Sequence, residues 1–536
     1  MEAAAKAFGY DNLQIKSPYP LVSLTELKII NQPNEHSTLY YTGIIPEGMV
    51  GSYIEKAKAG DAVAVVQTAD GAEGMTLFSG QVCQIKTKNS QGVAYLEVEA
   101  ISWTFDLDVK VRSRSFQNQK LRYTELMQQV LADYPGAAFR GPQFKDDPIN
   151  RLIVQYLETD WQFLIRVASQ TGAVLIPDVT QNTKPHFWLG LPEGRAAEIK
   201  AVEYGVMRDL EGYAEANANY NISVNESAFT GYTVTSRQYF NLGDRVIFQG
   251  KNLRVARSSA IMRDSILQFE YILMPESGIR QNPLLNPKLS GASIEGKIID
   301  RAKDTVKVHL AIDPTQPKER ACWLPYSSFY TAEGNSGWYC MPELGDSIKL
   351  YFPEAREDQA VVNSSVRKGG QSDEKMANPN VKYLGNSSGK ELMLGENAVT
   401  FTAGSKNGQL VLKLDQGQGV EVQSDQELLI YSDKDLQMEV EQKLAIQAQD
   451  GIYLSCNSSS IILDGETDIQ GTQVAIEGVG PPPVVQPSDP APEAEQDAAE
   501  NDNSETILDA IQLGLDVVGL IPVVGSFADI ANAGIS

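Results

Sequence analysis

The sequence predicts a mainly β chain that carries a trimeric β-helix needle toward its C-terminal end. Three observations predict it: short alternating strands punctuated by Gly and Asp, one helical interruption among them, and an eight-residue repeat that begins at Val420. The chain has 536 residues, enough for three or four domains, and its 42% apolar content suits a soluble globular protein. Its formal net charge of −24 argues against a nucleic-acid partner, because phosphate contacts need clustered Lys and Arg. The same charge argues against docking on an anionic membrane surface.

From Leu21 to about Trp103, runs such as 62–66, 76–78 and 95–99 alternate between apolar and polar and read as a small β-barrel or sandwich. A helical insert follows. Tyr123, Leu126, Val130 and Leu131 lie near helical spacing within 121–134. Thr159-Asp160 caps a second helix over 161–171, stopped by Gly172, with Phe163, Leu164, Val167 and Ala168 as its apolar face. Strands return from about Ile199 to Met274. Residues 10–280 thus form one region, two β-barrel subdomains plus the helical insert. A Pro-rich connector, 282–287, leads to a strand-rich block over 288–370, the size of a five-stranded barrel of the OB type. Gly60-Asp61, Gly243-Asp244 and Gly345-Asp346 each stand just before an apolar strand start, a tight turn feeding a strand. The triple occurrence suggests three barrels.

After Tyr383 the pattern changes. Every eighth residue from Val420 is apolar: Val420, Leu428, Leu436, Leu444, Ile452. Two residues along, the column reads Val422, Ile430, Met438, Ile446, Leu454, and two further along Ser424, Ser432, Val440, Ala448, Cys456. The next column is polar: Asp425, Asp433, Glu441, Gln449, Asn457. The repeat slips by one residue and resumes at Ile461 and Leu463, then at Ile469. A looser version precedes it at Val399/Phe401 and Leu410/Leu412. Eight residues are too few for one full coil of a single-chain β-helix, but they suit one strand and one turn, with other chains supplying the remaining sides. A symmetric homotrimer closes such a needle over 384–480, with the first two columns facing the axis as its core. A heptad coiled coil fails on the period and on the frequency of β-branched and turn-forming residues.

Candidate chemistry is sparse. Gly385-Asn386-Ser387-Ser388-Gly389 matches a nucleophile-elbow pattern, but a Gly- and Asn-rich connector surrounds it where a buried strand and a helix are needed. His36, His186 and His309 stand in separate segments, which argues against a metal cluster, and His309 is expected on a solvent-facing strand position. Cys83, Cys322, Cys340 and Cys456 show no CxxC spacing. Free thiols in a reducing cytoplasm are expected, with Cys322 and Cys340 buried. No cofactor, metal or enzymatic activity is expected. Met1-Glu-Ala-Ala-Ala-Lys lacks the charged and apolar regions of a signal peptide.

Three stretches together resemble the VgrG proteins and the hub-and-spike proteins of contractile phage tails. Residues 155–168, QYLETDWQFLIRVA, resemble the VgrG hub motif; the block from Gly296 to Pro353 looks like the family's OB-fold; and the octads look like its spike. The resemblance covers roughly residues 10–480. It implies a structural trimeric hub and spike of a contractile injection system, type VI secretion-like, made in the bacterial cytoplasm and then ejected into a target. It also implies tail tube and baseplate proteins as partners, and a PAAR-like tip protein on the needle. In this family two similar barrels per chain match a sixfold tube to a threefold spike. Two departures stand out: no lysozyme insertion lies between OB-fold and needle, and no histidine follows His309.

Residues 481–504 form a Pro-rich acidic linker, and 505–536 a strongly apolar, Gly-bearing α-helical segment in which Ser504 is placed to cap a helix and Pro522 to break it. Three readings stay open for this end. It resembles the pre-toxin segment of polymorphic toxins, stopping where a toxin domain would follow. It could be a membrane-active hairpin, against which Asp509, Asp516 and Pro522 count. Or it is a docking helix for a chaperone, tip or effector partner. Two other functional classes are weighed: a tailspike hydrolase with the needle as stalk, and an adhesin, which would need an export signal.

Overall fold

The computed structural model describes residues 9–465, apart from 70–71, 142–145, 181–182, 195, 221–224, 331–336, 366–374, 376, 406–407, 458 and 464. The chain divides into two compact units, residues 1–428 and 429–536. The linker and apolar segment expected over 481–504 and 505–536 lie outside the described residues.

The first lobe of unit one comprises β1 (Leu13–Lys16), β2 (Ser23–Asn31), β3 (Thr38–Ile44), α1 (Val50–Lys56), β4 (Ala62–Ala69), β5 (Ala72–Ser90) and β6 (Val93–Ser102). Alternation dictates it. In β6 every second residue is buried, placing Ala94, Leu96, Val98 and Ala100 on one core face. The insert then supplies β7 (Val111–Phe116), α2 (Tyr123–Leu131), β8 (Ala138–Arg140), β9 (Ile153–Thr159), α3 (Asp160–Ser169), β10 (Leu175–Pro177) and β11 (His186–Leu189). The expected cap is present: the Thr159 hydroxyl accepts from the Gln162 N–H at 3.2 Å, and Gly172 ends the helical segment with a φ of 74°.

The second lobe contains β12 (Ala197–Glu198), β13 (Ala201–Arg208), α4 (Leu210–Tyr220), β14 (Thr230–Ser236), β15 (Arg245–Phe248), β16 (Lys251–Arg263) and β17 (Ile266–Met274). The two expected barrels prove to be curled half-barrel sheets fused edge to edge. β2 pairs antiparallel with β16, so both lobes share one 12-stranded sheet and one hydrophobic core. The strand order is β4-β5-β6-β3-β2 in the first lobe and β15-β16-β17-β14-β13 in the second: the same order twice. The helices α1 and α4 were not legible as helices; each interrupts a strand-rich stretch and is short of apolar periodicity.

The third barrel is built from β18 (Ser293–Ala302), β19 (Thr305–Leu310), β20 (Leu324–Pro325), β21 (Ser347–Tyr351) and β22 (Val361–Ser365), in the order β20-β19-β18-β21-β22. Its sheet closes on itself through a parallel bridge between Tyr326 and Val362. Beyond it, β23 (Lys382–Gly385), β24 (Lys390–Leu394), β25 (Ala398–Ser405), β26 (Gly408–Asp415) and β27 (Gly419–Gln423) make an antiparallel meander within one chain. Val399 therefore faces Leu414, and Phe401 faces Leu412. In unit two, β28 (Ile452–Cys456) and β29 (Ser459–Leu463) form a hairpin.

The three Gly-Asp turns are one device used three times. Gly60, Gly243 and Gly345 have φ of 84°, 85° and 90°. The Asp N–H donates to the carbonyl three residues back, at 3.2 Å to Lys58, 3.1 Å to Asn241 and 3.2 Å to Glu343. A positive φ confined to the third residue is a type II turn, which is why Gly stands there. Each Asp carboxylate accepts the N–H of the turn's first residue, at 2.8, 2.7 and 2.9 Å. Each Asp carbonyl then accepts from the neighbouring strand, from Val82, Val255 and Ile298, where the register next slips by one residue. The turn thus sits against a β-bulge in every case.

Candidate functional site

The ten residues expected to line a needle axis stand open in the single chain. Val420, Val422, Leu428, Ile430, Leu436, Met438, Leu444, Ile446 and Leu454 each expose between 53% and 72% of their surface, and Ile452 is half-buried. Val420 and Val422 lie on β27, and Ile452 and Leu454 on β28. Between them, residues 424–451 join no strand pair among the described residues. The backbone bends at 425–426, 433–434, 441–442 and 449–450, eight residues apart. The polar column falls on these bends. Ser424 Oγ accepts from the Gln426 N–H at 3.1 Å, and eight residues on Ser432 Oγ accepts from the Lys434 N–H at 3.3 Å. Extended backbone without partners, and apolar columns of this size in water, are both costly.

The third barrel is locked to the helical insert. Leu152 and Val154, from the insert, belong to the barrel's own core with Leu289, Val306 and Leu350. Arg166 of α3 is buried. Its Nε and Nη2 each donate to Glu158 at 2.8 Å, its Nη1 to Glu357 at 2.6 Å, and its Nη2 to the Val154 carbonyl at 2.8 Å. Burial works against the guanidinium charge, but Glu158 and Glu357 outweigh it and hold the group protonated above its ordinary range. Asp313 accepts from the Ser115 N–H at 2.7 Å and from its hydroxyl at 2.6 Å. Gln117 donates to the Val308 carbonyl at 3.1 Å. None of these long-range partners was legible in the sequence.

The G-x-S-x-G segment is the hairpin turn between β23 and β24. Asn386 Oδ1 accepts from the Ser388 and Lys390 N–H groups, and Gly389 takes a φ of 75°. Among the described residues no group of three or more His, Cys, Asp or Glu is placed to hold a metal ion. His36 lies between Thr104 and Asp108 and stacks on Trp161, His186 faces the Gly136 carbonyl, and His309, partly exposed on the strand face opposite the buried Val308 and Leu310, contacts the Asp313 carbonyl. Cys322 is a buried free thiol as expected. Cys340, expected to be buried, is exposed, because it lies in the loop before β21 and outside the barrel core.

Residues 55–182 match the family model of the phage tail baseplate hub (GPD). Among solved structures, the chain is similar to the E. coli c3393 protein, described as a component of the type VI secretion system with structural similarity to the T4 bacteriophage tail proteins gp27 and gp5. That likeness has 15% identity and a TM-score of 0.48, over 66% of this chain and 99% of that one. A chain of the lidded Francisella PdpA–VgrG complex matches at 8% identity and a TM-score of 0.50, over 77% of this chain and 79% of that one. A 43 kDa tail protein of prophage MuSo2 from Shewanella oneidensis matches at 14% identity and a TM-score of 0.38, over 50% and 99%. No curated protein sequence matches. The likeness to the lidded complex is one of fold.

Proposed function

We propose that this chain is a non-enzymatic trimeric hub and spike of a contractile injection system, joining a tail tube to a puncturing needle. The observation that carries the reading is the stem: ten apolar residues on an eight-residue period, nearly all open, along a backbone that bends every eight residues. Burial of those columns by one chain alone cannot offset the ordering of the backbone that bears them. Three chains winding together would pair the backbone and bury both columns on a shared axis.

The match of residues 55–182 to a phage tail hub model supports the hub assignment. The order of the third barrel's strands, closed through Tyr326 and Val362, supports an OB-type reading of residues 288–370. Partners follow from the role: tail tube and baseplate proteins at the hub, a PAAR-like tip on the needle, and an effector or chaperone at the C-terminal segment. The chain is assembled in the bacterial cytoplasm and expelled on firing.

Mass measurement by sedimentation of the full chain at micromolar concentration tests this. A mass three times that of one chain is expected. A monomer sinks the reading.

A further inference from the structure

One cleft of unit one carries more cationic donors than its own walls use. It opens between the helical insert, at Gly172 and Gly190, and the second lobe, at Arg245, Arg254, Glu276 and Arg280, and measures about 480 Å3. That is the size of a pocket for a small ligand or an inserted side chain. Distant stretches of chain build it. Gly172 closes the helical segment after α3, Arg245 opens β15, Arg254 lies on β16, and Arg280 follows β17.

The three arginines differ in what they hold. Arg254 is buried and fully engaged: its Nε and Nη2 donate to Glu276 at 3.0 and 2.8 Å, and its Nη1 to the Pro192 and Gly243 carbonyls at 2.8 and 3.1 Å. Arg245 stands directly opposite Arg254 in the antiparallel β15–β16 pair. Like charges in that position repel, yet the Arg245 side chain makes no hydrogen bond or ion pair among the described residues. The Arg280 side chain makes none either, and its Nε is buried without a partner. Its Nη2 lies over the end of the helical segment, 3.6 Å from the point that a Cβ on Gly172 would occupy. The carbonyl end of α3 favours a cation there but gives Nε no acceptor. A buried donor left unmade is costly. A chain with a net charge of −24 has acidic residues in excess, yet these two cations pair with none of them.

We infer that this cleft is a carboxylate-binding site, with Arg245 and Arg280 as its guanidinium donors. The same wall already makes such a pairing once, between Arg254 and Glu276. A guanidinium fork matches carboxylate and phosphate alike, and the rest of the lining chooses between them. Glu193 and Glu276 both face the cleft, and their charges oppose a phosphate dianion more strongly than a singly charged carboxylate. The carboxylate comes from a free organic acid or from an acidic side chain of a peptide segment; the chemistry that recognises it is the same. Glu193, exposed on the same wall, is the cleft's own competitor. Every lining residue belongs to one chain, so the inference stands apart from the number of chains in the assembly.

The test is arginine-selective modification of the full chain with phenylglyoxal, read residue by residue by peptide mass spectrometry. Sodium acetate, an acetylated tetraglutamate amide and inorganic phosphate are each compared with sodium chloride at equal ionic strength, so that screening is held constant. Arg245 and Arg280 should react at least about threefold more slowly with a carboxylate present, while Arg320, exposed and outside the cleft, keeps its rate. Arg280→Gln should raise the carboxylate concentration that half-protects Arg245 by about tenfold. Acetate and peptide acting at similar concentrations assign a free acid; the peptide acting at least about tenfold lower assigns an acidic segment. Equal rates in chloride and in carboxylate overturn the site, and that comparison needs no variant. Phosphate protecting better than acetate overturns the choice of carboxylate. An Arg245 that is slow without ligand and quickens on Glu193→Gln makes Glu193 the occupant and overturns the site as well.

Discussion

Arg166 shows what a single side chain can hold together. Its guanidinium is shared between Glu158, next to its own helix, and Glu357, from the third barrel. Removing Glu357 leaves a buried cation with one partner fewer. Glu357→Ala should cost about 3–5 kcal/mol, read as an earlier calorimetric transition. Asp108 offers a pH-dependent case. Burial raises its carboxyl, but hydrogen bonds from His36 and Thr159 outweigh this and hold it below the ordinary 3.8. A depressed carboxylate stabilises the fold above its unfolded value and loses that contribution as pH falls through the folded one. Asp108→Asn should therefore melt earlier than the wild type at pH 7. The gap should close as pH falls below about 3.8, which parallel melts across pH 3–7 would show.

At the scale of elements, the turn-and-bulge unit gives a graded prediction. Gly60 and Gly345 have open space where a Cβ would go, so Ala there meets only the penalty of positive φ, about 1–2 kcal/mol. At Gly243 an added Cβ would also lie 2.5 Å from the Pro192 ring. Gly243→Ala should lower the melting temperature clearly more than Gly60→Ala or Gly345→Ala; equal losses would contradict the packing. The unit was half legible. Gly-Asp before an apolar run marks the turn, but the bulge opposite it depends on a strand paired across the sheet. In the lobes the Gly-Asp strand comes directly before its bulged partner. In the third barrel the bulged β18 comes first and the Gly-Asp strand β21 comes three strands later. The same local geometry is reached by two chain orders, which a linear pattern cannot distinguish.

For the whole molecule, the stem decides between a lone chain and an assembly. Leu436→Asp or Ile446→Asp would bring three carboxylates onto one axis in the proposed trimer, where desolvation and repulsion both oppose them. Sedimentation should show loss of the trimer for either variant, while Glu441→Gln, at a bend in the polar column, should leave the mass unchanged. A normal trimer with Asp at Leu436 would contradict the columns as the axis.

The octad is the feature that sequence alone determined. Its period, its polar bends at Asp425, Asp433 and Glu441 and its two apolar columns are set by residues a few positions apart, and strand alternation makes such patterns readable. The cap at Thr159 and the three Gly-Asp turns are local in the same way. Only the tertiary structure decided that the two lobes are one sheet, joined through β2 and β16, and that Arg166 reaches Glu357. Each of those joins residues far apart in the chain, where pairing is chosen by the fit of whole faces and edges and no neighbouring residue records the choice.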